Sequence, residues 1–467
     1  METSSAVDGS VLEAQPPAEV GALLKPVTAA ERIDSLDVLR GVALLGILLM
    51  NILTFGLHFG AYFNPNVDGG ATGLNLAAFL VQYIFWDGKM RALFSLCFGA
   101  GIILLTTRGE KRGAGIAVAD IYYRRMLWLL LFGLAHAYLI WYGDILYPYA
   151  LCGLVLFPFR KLSPKALLII AGVMCILLTG ASIGQGFMLR ETKAKAAEAE
   201  TARKAGKKLT AEQEKAEKDW KDTLKYMNPP PEEVKKEYDA YRGTYASAFK
   251  QRAEITTRWH SKPFYTPGLW DMFAMMFIGM AFMKLDLLSA SKSTAFYAKM
   301  AAIGLAVGLP INSFAAWQSV QVNFEPLSIP FVFSTYQIGR VSVSLAYLAI
   351  IMLVCKAGLL RFLTARLASV GQAAFSNYIS HSVICSLIFY GYGFGLIGKL
   401  ERHQLYFIVP AIWLFNLIAT PIWLRHYRFG PIEWCWRSLT YWQRQPMRIL
   451  KETSIENQQP EITPQPT

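Results

Sequence analysis

Long apolar runs recur along most of the chain, and no other feature constrains its fold as strongly. Of 467 residues, 54% are hydrophobic and only 17% are charged, and the charged residues are concentrated in a few stretches. A helix needs about 20 apolar residues to cross the hydrocarbon core of a bilayer. Repeated runs of that length exclude an ordinary water-soluble domain and predict an all-α, polytopic membrane bundle.

Roughly ten of these runs are predicted to be transmembrane helices. They cover residues 38–57, 90–106, 124–140, 145–160, 166–188, 267–283, 297–318, 331–354, 370–395 and 405–424, each to within a few residues. The apolar stretch 75–86 is too short to cross the membrane, and Asp87, Lys89 and Arg91 follow it at once. We expect this stretch to be an interfacial or re-entrant helix.

The distribution of basic residues predicts the orientation of the bundle. Short loops that are rich in Lys and Arg stay on the cytoplasmic side of a membrane. Such residues follow the second, fourth and eighth predicted spans, whereas segments 59–75 and 319–334 contain none. Both termini are therefore predicted to be cytoplasmic. This topology and anionic membrane lipid explain the formal net charge of +13, so no nucleic acid partner is predicted.

Changes in composition predict how the chain is divided. From residue 190 to 265 the sequence changes to Lys, Glu and Ala, and opposite charges at i,i+4 favour solvated helices. Prolines 229–231 are expected to break this segment into an extracytoplasmic helical hairpin. The predicted parts are a disordered tail at 1–31, a membrane bundle at 32–189, the insertion at 190–265, a second membrane bundle at 266–448 and a disordered tail at 449–467.

A histidine within an apolar run is the first candidate for chemistry. His136 lies in the third predicted span, and Asp144 follows it at a tight turn. An imidazole can accept and return a proton near neutral pH, and a nearby carboxylate can fix its tautomer. His136 is therefore predicted to be a catalytic base that Asp144 orients. A hydrogen-bonded helix contact is the alternative interpretation.

Other polar residues in or beside the spans are predicted to meet in one water-accessible cavity, because charged groups in lipid are costly unless they face such a space. The predicted cavity and oxyanion residues are Asn51, Lys89, Arg91, Arg340 and His381. Asp271 is either part of this cavity or an interfacial anchor. Asp37 and Arg40, three residues apart, are expected to pair on one helix face. Asp37 and Glu433 are assigned structural roles, and no metal site is predicted.

Several blocks of sequence stand out between residues 32 and 448. They are Arg32–Gly41, Leu93–Gly101, 141–146 with Tyr149 and Ala150, Ser376–Tyr378, and 429–434 with 436–441. In this order the blocks resemble those of the YeiB-like family of bacterial inner-membrane proteins, whose C-terminal region is a domain of unknown function, family 418. The resemblance covers most of the chain and implies a location in a bacterial inner membrane.

The resemblance also implies an activity, because this family is grouped with transmembrane acyltransferases. Those proteins pass an acyl group, commonly acetyl from cytosolic acetyl-CoA, to sugars or glycans across the membrane. The resemblance therefore implies acyl-CoA as a co-substrate, no bound cofactor, and a glycan, a lipid-linked molecule or another hydroxyl or amine as acceptor. The wider group often has a catalytic histidine eleven residues after the arginine of the first helix. Asn51 occupies that position here, so His136 with Asp144 is predicted to replace it.

The phosphates of the acyl donor are predicted to bind Arg40, Arg124 and Arg125, because guanidinium groups match phosphate oxygens. Two other classes of function remain open. Buried charges also fit a transporter or flippase for an anionic solute or lipid, and the charged insertion fits a scaffold that binds a partner protein. The acceptor, the acyl chain and the formation of a homo-oligomer are left open by the sequence.

Overall fold

The chain forms a bundle of helices in a computed structural model that describes residues 32–262 and 266–449. The tail predicted at 1–31 lies outside these residues, as does all of the tail predicted at 449–467 except its first residue. The main helices are α1 (Asp34–Gly56), α2 (Gly73–Val81), α3 (Lys89–Lys111), α4 (Ala117–Leu139), α5 (Leu146–Leu156), α6 (Pro164–Lys204), α7 (Ala211–Met227), α8 (Pro231–Arg242), α9 (Tyr245–His260), α10 (Pro267–Lys284), α11 (Thr294–Gln321), α12 (Tyr336–Ala357), α13 (Arg361–Gln372), α14 (Ala374–Phe389), α15 (Val409–His426) and α16 (Pro431–Tyr441). The predicted all-α fold is confirmed.

Several helical stretches are long and apolar enough to cross a bilayer. Within the described ranges they are Asp34–Gly56, Gly73–Lys111, Pro164–Lys204, Thr294–Gln321, Ile329–Ala357 and Arg402–His426. The runs predicted as spans at 124–140, 145–160 and 267–283 fold as α4, α5 and α10, which pack among the longer helices. The sequence pattern therefore located the helices of a membrane bundle. Among the described residues, however, fewer than ten helices are long and apolar enough to be spans.

One predicted span, 370–395, has the wrong bounds. The helix breaks at Ala373, between α13 and α14, and α14 ends at Phe389. The break has a local cause, because the carboxylate of Glu433 in α16 accepts the backbone N–H groups of Phe375 and Ser376 in the first turn of α14. A hydropathy pattern carries no information about such a cap, since the residues on both sides of the break are apolar.

The charged insertion starts within a continuous helix. α6 runs without interruption through residue 190 to Lys204. Ion pairs hold α7 against it, among them Lys195 with Glu212 at 2.5 Å. As the prolines predicted, the chain turns between α7 and α8. The next helices, α8 and α9, return to the membrane bundle and pack on its end, so only part of the insertion is solvated.

Different groups of loops form the two ends of the bundle. At the basic end, Arg160 in the turn after α5 pairs with Glu110 near the end of α3 at 3.2 Å, and the start of α1 lies beside the loop after α10. At the insertion end, Glu237 of α8 pairs with His58 after α1 at 3.3 Å. The basic loops that the sequence predicts on one side of the membrane therefore lie together, opposite the insertion.

Glycines bring three pairs of backbone segments into direct contact near the centre of the bundle. A Cβ atom on Gly99 of α3 would lie 2.0 Å from the carbonyl oxygen of Met276, and one on Gly279 of α10 would lie 2.0 Å from that of Leu96. Gly41 of α1 makes the same kind of contact with α13. Small residues allow membrane helices to approach this closely. Gly41 and Gly99 belong to the first two family-like blocks, so those blocks fix how α1, α3, α10 and α13 pack.

The predicted interfacial segment is a short helix that ends in a break. α2 continues as a π-helical turn, Gln82–Trp86, and Gly88 then adopts a left-handed conformation with φ of +69° before α3 begins. A Cβ at Gly88 would lie 1.9 Å from the hydroxyl oxygen of Tyr336. Helix and turn together are about 20 Å long. That length falls short of a hydrocarbon core of about 30 Å, and the segment packs at the insertion end beside Arg402.

Candidate functional site

A cavity of about 300 Å³ lies between α1, α3, α4, α14 and α16 at the basic end. Among the described residues, its charged lining consists of Arg32, Arg40, Arg108, Arg112, Arg125, Arg428, Arg437, Asp37 and Glu433. Phe94, Tyr149 and Tyr378 line its other end. Phe94 precedes Arg108 by 14 residues on α3, which is about 21 Å along the helix. The cavity therefore joins a strongly cationic mouth to an aromatic inner wall deep in the bundle.

Contacts within the cavity wall hold two of its arginines in place. Arg40 pairs with Asp37 at 2.6 Å, as predicted from their spacing. The guanidinium of Arg125 lies over the ring of Trp436, 3.8 Å from its centroid. The indole nitrogen of Trp436 donates to the backbone carbonyl of Arg125 at 2.9 Å. These arginines are therefore oriented by protein contacts before any ligand binds.

Arg124, which was predicted with Arg40 and Arg125 to bind the donor phosphates, does not line this cavity. Its guanidinium pairs with Asp120 and donates to the carbonyl of Thr440 at 3.3 Å. Neighbouring residues on a helix point about 100° apart, so Arg124 and Arg125 cannot share one face. The structure adds arginines from segments distant in sequence that were not assigned to the donor site, namely Arg32, Arg108, Arg112, Arg428 and Arg437.

Glu433 caps the first turn of α14 at the cavity wall. Its carboxylate accepts the backbone N–H of Phe375 at 2.6 Å and that of Ser376 at 3.1 Å, and it also accepts the Ser376 hydroxyl. The first N–H groups of a helix lack internal partners and attract negative charge. Burial raises the pKa of Glu433, and the hydrogen bonds from Ser376 and Phe375 oppose this shift. The predicted structural role of Glu433 is thus that of a helix cap.

Replacing Glu433 with Ala is expected to lower the free energy of unfolding by about 1–3 kcal/mol, because two buried N–H groups lose their acceptor. Thermal unfolding of the purified protein in detergent, followed by circular dichroism, measures the loss. Glu254→Ala, at an exposed position on α9, is the matched control and should leave the midpoint unchanged. Equal midpoints for the two variants would show that the cap does not stabilise the bundle.

His136 and Asp144 are joined by a hydrogen bond of 2.8 Å between Nδ1 and Oδ1, as their positions predicted. The second oxygen of Asp144 accepts the backbone N–H of Tyr147 at 2.6 Å. Only 1% and 0% of the two side chains are exposed. When Nδ1–H donates to the carboxylate, Nε2 carries the lone pair. In the part of the chain that the structure describes, this Nε2 has no hydrogen-bond partner.

Tyr378 of α14 lies between His136 and the cavity. The tyrosine lines the cavity, and its ring centroid lies 5.1 Å from that of the imidazole. Its hydroxyl oxygen accepts the backbone N–H of Ile145 at 3.1 Å. His136 itself is not part of the lining. The imidazole therefore contacts a ring that forms part of the cavity wall.

The insertion holds the end of α4 next to His136. Arg252 of α9, which is fully buried, donates to the carbonyls of Tyr138 at 2.7 Å and Ile140 at 3.2 Å. Thr256 donates to the carbonyl of Ala137 at 3.2 Å. The last carbonyls of a helix lack internal partners and attract cations. α9 thus caps α4 one turn beyond the histidine, a contact that the composition of the insertion did not predict.

A second group of charges surrounds Asp271 and is separate from the arginine-lined cavity. Arg340 is wholly buried and pairs with Asp271, and Arg91 pairs with the same carboxylate at 2.9 Å. Lys89 donates to the carbonyl of Tyr83 at 2.6 Å. The prediction that Lys89, Arg91 and Arg340 line the catalytic cavity is therefore wrong. Arg91 and Arg340 direct their charges to Asp271 near the start of α10, because a buried charge needs a close counter-charge, whereas Lys89 donates to a carbonyl in the turn before α3.

His381 and Asn51 are also wrong members of the predicted cavity. His381 Nε2 lies 2.8 Å from Nδ2 of Asn416, within the buried contact between α14 and α15. Asn51 is half-buried on α1, outside the cavity lining. Buried polar groups generally bond to the nearest available partner. The polar residues of the spans consequently form several local groups rather than one common pocket.

The fold and the cavity define a polytopic helical membrane protein with an arginine-lined internal space. A family profile described as "Protein of unknown function (DUF418)" matches residues 282–443. "Uncharacterized protein YxaH" of Bacillus subtilis (strain 168) is 30% identical over 452 residues, which cover 92% of this chain and 99% of that protein. "Uncharacterized protein YeiB" of Escherichia coli (strain K12) is 30% identical over 424 residues, covering 88% and 96%. No solved structure matches. The chain belongs to the YeiB-like, DUF418-containing family, which confirms the resemblance.

All the family-like sequence blocks contribute to the wall of this one cavity. The first supplies Arg40, the second Phe98, the third Tyr149, the fourth Tyr378 and the fifth Trp436. These blocks are spread over about 400 residues of sequence. Each of these blocks therefore contributes at least one residue to the cavity wall, which makes the cavity the candidate functional site.

Proposed function

We propose that the protein is a transmembrane acyltransferase of a bacterial inner membrane, with both termini in the cytoplasm. It takes an acyl group, such as acetyl, from cytosolic acyl-CoA and transfers it to a hydroxyl or amine of an extracytoplasmic glycan or lipid-linked acceptor. The observation that carries the proposal is the convergence of the family-like blocks on a cavity with arginines at one end and the His136–Asp144 pair behind the other.

The cationic mouth of the cavity suits the phosphate groups of the donor. Guanidinium groups bind phosphate oxygens through paired, charge-assisted hydrogen bonds. Arg40 and Arg125 are oriented by Asp37 and Trp436, so little order has to be imposed when the donor binds. The aromatic inner wall suits the uncharged arm that carries the thioester. A donor bound in this way has its phosphates at the basic end and its acyl group near Tyr378.

The His136–Asp144 pair suits general acid–base catalysis of acyl transfer. Nε2 of His136 accepts the proton of the acceptor group, whose oxygen or nitrogen forms a bond to the thioester carbonyl carbon. The carbon–sulfur bond then breaks, and the departing sulfur receives the proton from the imidazolium. Asp144 holds the imidazole in the required tautomer and stabilises its charged form. The acceptor enters from the insertion end, where the bundle is capped by α8 and α9.

Arg125 and Arg124 provide a matched pair for testing the donor site. Arg125→Ala is expected to weaken acetyl-CoA binding about 10- to 100-fold, because a hydrogen bond to a charged group contributes about 1.5–3 kcal/mol. Arg124→Ala should change the affinity less than twofold, since Arg124 faces away from the cavity. Isothermal titration of the purified protein with acetyl-CoA measures both. Equal losses would exclude the cavity as the donor site, and a wild-type protein that neither binds nor consumes acetyl-CoA would overturn the proposed function.

A transporter for an anionic solute is the second candidate, and the broken helix at Gly88 favours it. Discontinuous helices and buried cationic groups are typical of transport sites, and the break lies beside the pair of Arg340 with Asp271. The two functions differ in the fate of the substrate. Mass spectrometry after incubating proteoliposomes with labelled acetyl-CoA detects an acetylated acceptor or free CoA for an acyltransferase, and an unchanged substrate for a transporter.

A further inference from the structure

The hydroxyl group of Tyr378 has an uncommitted proton. The side chain is 2% exposed and lines the cavity. Its oxygen accepts the backbone N–H of Ile145 at 3.1 Å. Across residues 32–262 and 266–449, Tyr378 takes part in hydrogen bonds only as this acceptor, so its O–H proton is free for a group bound in the cavity.

The other tyrosine at the inner wall differs in this respect. The hydroxyl of Tyr149 lies 2.7 Å from the hydroxyl of Ser95, and it also lies 3.4 Å from the carbonyl oxygen of Arg91. Both tyrosines are buried and both line the cavity. The Tyr149 proton has protein acceptors within reach, whereas no hydrogen bond among the described residues uses the Tyr378 proton.

The segment Asp144-Ile145 positions both Tyr378 and the proposed base. Asp144 binds Nδ1 of His136, and the next residue, Ile145, donates to the hydroxyl oxygen of Tyr378. The rings of His136 and Tyr378 are in contact. A hydroxyl that already accepts one hydrogen bond becomes a stronger donor in the next. Base and donor are therefore fixed to one rigid turn at the start of α5.

We infer that Tyr378 donates a hydrogen bond to the carbonyl oxygen of the acyl thioester and stabilises the oxyanion that forms there during transfer. This inference rests on the proposed acyltransferase function. When the acceptor attacks the carbonyl carbon, the carbonyl π electrons move to oxygen, which accepts the Tyr378 proton as a hydrogen bond. When the carbon–sulfur bond breaks, these electrons re-form the carbonyl and the sulfur takes the proton from His136. Donors that are already aimed at the developing charge lower the barrier most.

The assignment replaces the cationic residues predicted for this role. Lys89, Arg91 and Arg340 lie outside the cavity lining, and Arg91 and Arg340 are paired with Asp271. The hydroxyl of Tyr378 is a neutral hydrogen-bond donor, so it places no buried positive charge beside the thioester. Tyr378 is therefore a catalytic residue in this scheme, because it touches the reacting carbonyl group.

Tyr378→Phe tests the inference, because the ring and its contact with His136 remain while the donor is lost. We expect kcat for acetyl transfer by the full-length protein in detergent to fall on the order of 10²-fold, with the acetyl-CoA dissociation constant within twofold of wild type. Tyr297→Phe is the control, since it removes a buried hydroxyl that donates to the carbonyl of Leu287 at 3.0 Å outside the cavity lining, and its kcat should stay within threefold. The split between kcat and affinity separates a catalytic donor from a merely structural tyrosine.

A vibrational measurement keeps the test independent of turnover. The carbonyl stretch of acetyl-CoA labelled with ¹³C at the thioester should move to lower frequency on binding to wild type and to Tyr297→Phe, and it should return toward its free value in Tyr378→Phe. An unshifted stretch in the wild-type complex, or an unchanged kcat in Tyr378→Phe, would overturn the inference while leaving the acyltransferase proposal standing. A wild-type protein that binds no acetyl-CoA would overturn that proposal and the inference with it.

Discussion

His136→Ala is expected to lower kcat for acetyl transfer by about 10²- to 10⁴-fold, the contribution of one general base. Asp144→Asn should cause a loss of the same kind, because an amide cannot hold the imidazole in the required tautomer or stabilise its charge. The acetyl-CoA affinity should not change in either variant, since the two side chains lie outside the cavity lining. Initial rates with labelled acetyl-CoA and titration of the same preparations measure the two quantities separately.

The control for this prediction is another buried histidine. His381 bonds to Asn416 in a helix contact outside the cavity, so His381→Ala should leave kcat within threefold of wild type. Because His136 and Asp144 act as one unit, the double variant should be hardly slower than the slower single variant. A folded His136→Ala protein that keeps more than a tenth of the wild-type kcat would show that the base lies elsewhere.

The helices were predictable because the signal for them is local. The first predicted span, 38–57, corresponds to α1, and the prolines at 229–231 correctly marked the turn before α8. The pair of His136 and Asp144 was predictable for the same reason. Eight residues separate them across one tight turn, so few conformations of the chain keep the imidazole and the carboxylate apart.

The cavity was not predictable, because its wall combines segments that are distant in sequence. Tyr378 of α14 meets His136 of α4 although they are 242 positions apart in the sequence, and neither helix carries a local signature of this contact. Arg124 and Arg125 show the limit on a smaller scale. They are adjacent in the sequence, yet the guanidinium of Arg125 lines the cavity and that of Arg124 pairs with Asp120 on the surface.

The Asp271 group was missed for an energetic reason. The sequence identified Arg91 and Arg340 as costly charges and assigned them to a common wet cavity, but both pair with one carboxylate on a third helix, that of Asp271. A counter-charge of this kind can hold a buried guanidinium group outside a common cavity. Hydropathy identifies such residues as polar but does not indicate whether a counter-charge or a cavity accommodates them. Only the packing of the helices shows which of the two applies.

Asp271→Asn is therefore expected to destabilise the bundle by about 3–5 kcal/mol, the usual cost of breaking a buried charge pair by removing one partner. Arg340 is wholly buried, and two of its guanidinium nitrogens, Nε and Nη1, already lack partners among the described residues. Loss of the carboxylate leaves that charge, and the charge of Arg91, without compensation. Thermal and denaturant unfolding of the purified variant in detergent measure the effect.

Asp120→Asn is the matched control, because it breaks an exposed pair with Arg124 and should reduce the unfolding free energy by no more than about 1 kcal/mol. The double variant Asp271→Leu with Arg340→Met should be more stable than Asp271→Asn, since apolar residues often replace a buried ion pair without loss. Equal unfolding midpoints for Asp271→Asn and Asp120→Asn would contradict a stabilising role. The double variant, if it folds, should still bind acetyl-CoA with wild-type affinity, because these charges serve the structure of the bundle and not the donor site.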